Sequence, residues 1–188
     1  MLVSLRFASD NPCPAASAGP VASRLLECHE RIRRFTAMAL RLAASHAAPL
    51  SERVEAARLL QRYFATALPL HVADEDGTVM PRLLAAQPEA PVREALQQME
   101  SEHLLIDALL PTQLEAWARL EATPALLPTL APALLQGATL LEESLRTHLE
   151  LEERVIIPAL DRLLPRPLQA QMVEEMKARR GVRADEQG

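Results

Sequence analysis

Two segments of the chain carry the same chemistry in the same order: HVADEDGTVMPRL from His71 to Leu83 lies over HLELEERVIIPAL from His148 to Leu160 without a gap. The register pairs His71 with His148, Glu75 with Glu152, Asp76 with Glu153 and Pro81 with Pro158. On a helix, residues four apart sit about 6 Å apart along the axis and about 40° apart around it. Each histidine and glutamate can therefore address one point. A single such pair is most often a solvent-exposed ion pair of little energetic weight. Here both pairs fall on stripes that otherwise face a core, which favours a buried role. The neighbouring acids, Asp74, Asp76, Glu150 and Glu153, are expected to form a solvated face.

Two further histidines extend the pattern. His103 interrupts an apolar stripe made of Val92, Leu96, Met99, Ile106 and Leu110, and His29 lies beside Leu25, Leu26 and Ile32. A lone histidine in such a place is usually a hydrogen-bonded core residue. Four inward histidines among five, spread over separate helices, do not look independent. His46, the fifth, reads as a surface or capping residue. Burying a carboxylate without compensation costs at least several kcal/mol, and a whole domain has only about 5 to 15 kcal/mol to lose. No lysine or arginine shares these stripes at the level of Glu75 and Glu152, so the candidate counter-charge is a metal cation. Six mixed nitrogen and oxygen donors exceed the four that one tetrahedral zinc takes and suit iron or manganese, with two ions fitting best.

These residues need helices to position them, and the composition provides for that. Apolar residues make up 49%, aromatics 3%, and glycine occurs 5 times in 188 residues, which favours an all-α chain with one core. A first helix is expected from Val21 to Pro49, and a second from Ser51 to about Ala86, bent by Pro69 and Pro81. A third begins after Pro88 and Pro91 and meets Pro111, which threatens to kink or interrupt it. After a turn region expected at Pro124, Pro128 and Pro132, a fourth runs through Leu141, Leu145, His148, Glu152 and Val155 to about Leu164, followed by a short fifth helix over 168–180 that packs on the bundle or frays. The architecture expected is an up-down-up-down four-helix bundle over residues 20–165, with an N-terminal arm over 1–19 and a C-terminal helix and tail over 166–188. Period-two alternation, which a sheet would need, is not sustained.

Charge and cysteine content limit the partners. A net charge of -5 leaves no basic surface for nucleic acid, and the one dense basic run is Lys177, Arg179, Arg180 and Arg183. Cys13 and Cys28 lack CxxC spacing and read as reduced thiols, consistent with a cytoplasmic location. No stretch approaches the roughly 18 uninterrupted apolar residues of a membrane span, so no membrane partner is expected.

At these residues the chain resembles the hemerythrin-like, or HHE cation-binding, family, whose pattern is a histidine on helix one, HxxxE on helix two, a histidine on helix three and HxxxE on helix four. The resemblance implies His29, His71, Glu75, His103, His148 and Glu152 as ligands of a non-heme di-iron centre with a bridging oxo or hydroxo group. Glu75 and Glu152 would bridge and the histidines would be terminal; manganese or zinc are alternative metals. Oxygen-carrying members have a second histidine on helix three, whereas Met99 and Asp107 stand four residues either side of His103. Two six-coordinate ions offer about twelve positions, of which this ligand set with one bridging oxygen fills about ten, leaving about two open. Asp107 reads as an outer or solvated carboxylate.

Two functional classes follow from that inventory. One is a binding protein that senses, stores or binds iron, dioxygen or nitric oxide. The other is a di-iron enzyme, such as an oxidase, a peroxidase or a nitrosative-stress repair factor, that activates a small molecule at the open positions. A metal-free structural bundle is a third. Tyr63 and Cys28, the nearest redox-capable side chains, read as packing residues.

Overall fold

A computed structural model describes residues 18–44 and 48–181, so His46 and most of the N-terminal arm lie outside the described residues. Five helices and no strands make up the described chain. Helix α1 spans Pro20–Ala44, α2 covers residues 50–85, α3 spans Ala90–Ala122, α4 spans Pro124–Leu163 and α5 spans Arg166–Arg179. The first three match the expected helices, but α4 begins at Pro124, where a turn region was expected: Pro124 and Pro128 sit in first turns, where a missing N–H costs little, and Pro132 lies inside the helix. Pro111 lies inside α3, which runs on through it without interruption.

Prolines shape α2 and α4 in a way that periodicity did not anticipate. Instead of simple bends at Pro69 and Pro81, α2 widens into π turns at Tyr63–Ala67 and Glu75–Val79, and α4 does the same at Glu152–Ile156. Each widened turn closes with an amide reaching five residues back: Leu68 to the Tyr63 carbonyl, Met80 to Glu75 and Ile157 to Glu152. The next residue is a proline in all three cases, Pro69, Pro81 and Pro158. A proline ring has no N–H to give and strikes the carbonyl four residues back in a regular helix. Inserting one residue into the preceding turn displaces that carbonyl, and the helix continues. In both echoed segments the widened turn begins at the glutamate.

The apolar core is split into two slabs. One contains Ile32, Leu68, Ile106 and Leu145 with Phe64 and Trp117, whose rings stack at 5.2 Å. The other contains Leu25, Val79, Met99 and Ile156 with Met172 and Met176 from α5. Residue order then fixes direction: α1 passes from Leu25 to Ile32, α2 from Leu68 to Val79, α3 from Met99 to Ile106 and α4 from Leu145 to Ile156. Successive helices cross from slab to slab in opposite senses, as an up-down-up-down bundle requires. Between the slabs lies a buried polar layer occupied by the six candidate residues.

Helix α5 docks on the bundle. Gln169 is fully buried and donates to the Leu160 and Leu164 carbonyls at 3.2 and 3.1 Å, satisfying the end of α4. The start of α1 is pinned to the same corner by the Gly19 amide, which donates to Asp161 Oδ2 at 2.9 Å. A Cβ on Gly19 would lie 2.0 Å from Asp161 Oδ1, so a larger residue here would have to push that carboxylate aside. Helix α4 is long and apolar enough by length and composition to cross a membrane, with a window of mean hydropathy 1.3 that is 33% buried. Its inner face supplies Leu127, Leu134, Leu141 and Leu145 to the core.

Candidate metal centre

The six candidate side chains converge in the polar layer, and none is more than 3% exposed. Their ligating atoms form two overlapping groups. One comprises His29, His71, Glu75 and Glu152, the other Glu75, His103, His148 and Glu152, and within each group the donor atoms all lie within 4.8 Å of one another. Each carboxylate divides its oxygens between the groups. Glu75 Oε1 lies 3.2 Å from His71 Nε2 while its Oε2 lies 3.3 Å from His103 Nε2. Glu152 Oε2 lies 3.0 Å from His29 Nε2 while its Oε1 lies 3.4 Å from His148 Nε2. Two carboxylates with one oxygen toward each of two histidine pairs form a bridging arrangement.

The fit to cations rests on the donors themselves. Both oxygens of Glu75, both of Glu152, and Nε2 of His29, His71 and His103 are buried without a hydrogen-bond partner. Buried polar atoms are normally paired, so this many orphans aimed at one place mark a site that a cation would satisfy. The match to the hemerythrin HHE cation-binding domain covers residues 21–160. The chain belongs to that family. No curated protein sequence matches it significantly.

Around the six donors this HHE domain carries outer carboxylates. His29 Nδ1 lies 2.8 Å from Glu153 Oε1, His103 Nδ1 lies 2.9 Å from Asp76 Oδ1, and His148 Nδ1 lies 3.0 Å from Glu102 Oε2. With Nε2 turned to a metal, Nδ1 keeps the proton and donates to the acid, which fixes the tautomer and strengthens the imidazole as a ligand. Two expectations are corrected here. Asp76 and Glu153 are not members of a solvated face: at 39% and 30% exposed, they are half-buried and orient histidines. Asp74 is fully buried, paired with Arg179 at the end of α5 and Arg180 just after it, while the Arg179 guanidinium also donates to Thr78 Oγ1 at 3.1 Å. Glu150 is exposed as expected and pairs with Arg146 at 3.1 Å.

Electrostatics within the layer show what the donors do when only protons are available. Burial, and next the neighbouring Glu152 charge, push the Glu75 carboxyl well above its ordinary range and favour its neutral form. Burial also opposes ionisation of Glu152, but the His29 ring 3.0 Å away and the charges of His148 and His29 outweigh it and hold Glu152 below its ordinary range. His29 is raised: burial works against its charge, yet Glu152 and Glu153 on either side prevail. His71 is lowered to about 3 by burial, and His103 is lowered by burial and by His148. Cation binding must displace the proton on Glu75 and any on His29.

The remaining chemical candidates stand aside from the donors. Asp107 is exposed and lines an open surface groove with Pro69, Val72, Asp76, Gly77 and Arg179. Cys28 is buried and accepts from Arg31 at 3.1 Å, and Tyr63 stacks on Phe35 with ring centroids 3.8 Å apart. Neither belongs to a donor group. Sequence reasoning missed Glu102, which precedes His103 in the chain but serves His148 on α4. For Asp76 and Glu153 a signal existed, since the echo pairs those two positions just as it pairs the glutamates beside them.

Proposed function

We propose that this HHE domain holds two iron ions, one between His29 and His71 and one between His103 and His148, with Glu75 and Glu152 bridging both, and that it binds a small diatomic ligand, dioxygen or nitric oxide, in a sensing or storage role. The observation that carries the reading is the division of each carboxylate between the two donor groups, which a single ion would not use. Mixed imidazole and carboxylate donors suit iron, which would supply redox chemistry and affinity for diatomics. The chain's own contribution is to hold the donors in register, keep bulk water from them and exclude larger ligands, because every donor residue is almost fully buried.

Binding is favoured over turnover by the surroundings. Cys28 and Tyr63 are engaged in packing, and Tyr63 is raised above its ordinary range, chiefly by burial, so it resists ionisation. The test is anaerobic reconstitution with ferrous iron, then metal counting and an optical spectrum after air is admitted. Two irons per chain, the near-ultraviolet absorption of a bridged ferric pair and one stoichiometric uptake of oxidant are expected. One ion per chain would contradict the reading, and repeated consumption of oxygen, peroxide or nitric oxide per site would move it to the di-iron enzymes.

A further inference from the structure

The two halves of the centre are built from the same donors but are not backed alike. In the half formed by His103 and His148, both outer ring nitrogens face carboxylates, Asp76 at 2.9 Å and Glu102 at 3.0 Å. Glu102 is steadied in turn by a neutral donor, with Gln98 Nε2 2.8 Å from its other oxygen. In the half formed by His29 and His71 only His29 has such a partner. Its acceptor, Glu153 Oε1, also accepts from Arg33 Nη2 at 2.8 Å, so a cation already draws on that oxygen. The Nδ1 of His71 is buried without any partner.

We propose that the two ion positions are unequal: the one between His103 and His148 fills first and holds its ion tightly, and the one between His29 and His71 is the exchangeable position. The reasoning rests on the two-ion reading above. An outer carboxylate makes an imidazole a stronger ligand and adds negative charge near the cation, and loss of such a partner typically costs about 10- to 100-fold in metal affinity. One half has two such partners. The other has a single one, shared with an arginine, and a histidine whose tautomer nothing fixes. Arg179, which lines the same groove as Asp76, is committed to Asp74 and Thr78. Asp76, Glu102 and Glu153 are positioning residues, acting on the ions through the rings they hold.

The test is an anaerobic titration of the metal-free chain with cobalt(II) against a chelator of known affinity, read by visible absorption and by ions bound per chain. Two binding steps separated by about tenfold or more are expected. Asp76→Asn and Glu102→Gln, which keep an acceptor but remove the charge, should each weaken the tighter step by about 10-fold or more and bring the two steps together. Glu153→Gln should weaken only the looser step and widen the gap. All three sites are partly exposed, and far-ultraviolet circular dichroism checks that each variant folds. Two ions bound with one indistinguishable affinity, or a tighter step that responds to Glu153→Gln and not to Asp76→Asn, would overturn the inequality while leaving the two-ion reading standing. Binding of one ion or none by the unmodified chain would overturn both.

Discussion

The echoed segments of α2 and α4 place identical ligands in identical widened turns, yet they are supported by opposite means. Position 151 on α4 and position 74 on α2 are equivalent in the echo. Leu151 is buried in the apolar slab beside the centre, while Asp74 is buried at the same level and held by Arg179 and Arg180. One glutamate is thus braced by hydrophobic contact and the other by charges imported from α5. The same ligand device can be stabilised either way, and the charged version makes the C-terminal helix part of the architecture of the centre.

The largest expected effect comes from removing the imported charges. Arg179→Ala with Arg180→Ala leaves Asp74 buried and unpaired, and chemical denaturation should show a loss of about 3 to 5 kcal/mol. An unchanged midpoint would mean that α5 contributes little to the α2 segment. On the other side, Leu151→Ala removes apolar contact without exposing a charge and should cost about 2 to 4 kcal/mol by the same measurement.

Acidification probes the buried ring and carboxyl groups of the centre in the metal-free protein. His71 is lowered to about 3 and His103 is also lowered, so as pH falls below 6.5 the unfolded chain takes up protons at these rings more readily than the folded chain does. Their stabilising contribution is complete above pH 6.5 and is lost as pH falls. Glu75, raised, works in the opposite sense, because the folded chain keeps its proton to higher pH than the unfolded chain does. His29, raised, is protonated in both states below pH 6.5 and is neutral in the balance. Two histidines against one carboxyl tip the balance toward the unfolded chain, so stability should fall as the pH drops below 6.5. Thermal melts in chelator at pH 6.5 and pH 5 measure it; a higher midpoint at pH 5 would contradict this assignment of protons.

The smallest effect is the most specific. Converting α2 to the α4 solution, with Asp74→Leu added to Arg179→Ala and Arg180→Ala, should bring stability back to within about 1 kcal/mol of the unmodified chain, because a well-packed apolar replacement of a buried ion pair is often neutral. A triple variant as unstable as the double would show that the arginines act through something other than Asp74.

Much of this architecture was legible in the residues. The apolar stripes announced four antiparallel helices, and the echo with His29 and His103 named all six side chains that meet in the polar layer. What stayed hidden depended on contacts between helices. A run such as Asp74, Glu75 and Asp76 looks the same whether its outer members meet water or a histidine on another helix, so Asp76 and Glu153 read as solvated, and buried Asp74 did too. Glu102 lies next to one histidine and serves another on a different helix. The prolines signalled disturbance in α2, but whether a helix bends or widens is decided by whether the turn before the ring can admit an extra residue.

The most direct test of the central claim is a crystal structure of the reconstituted protein with anomalous scattering measured at the edge of the bound metal. Two peaks are expected, one flanked by His29 and His71 and the other by His103 and His148, with one oxygen of Glu75 and one of Glu152 on each. A single peak, or two peaks that do not share both carboxylates, would contradict it.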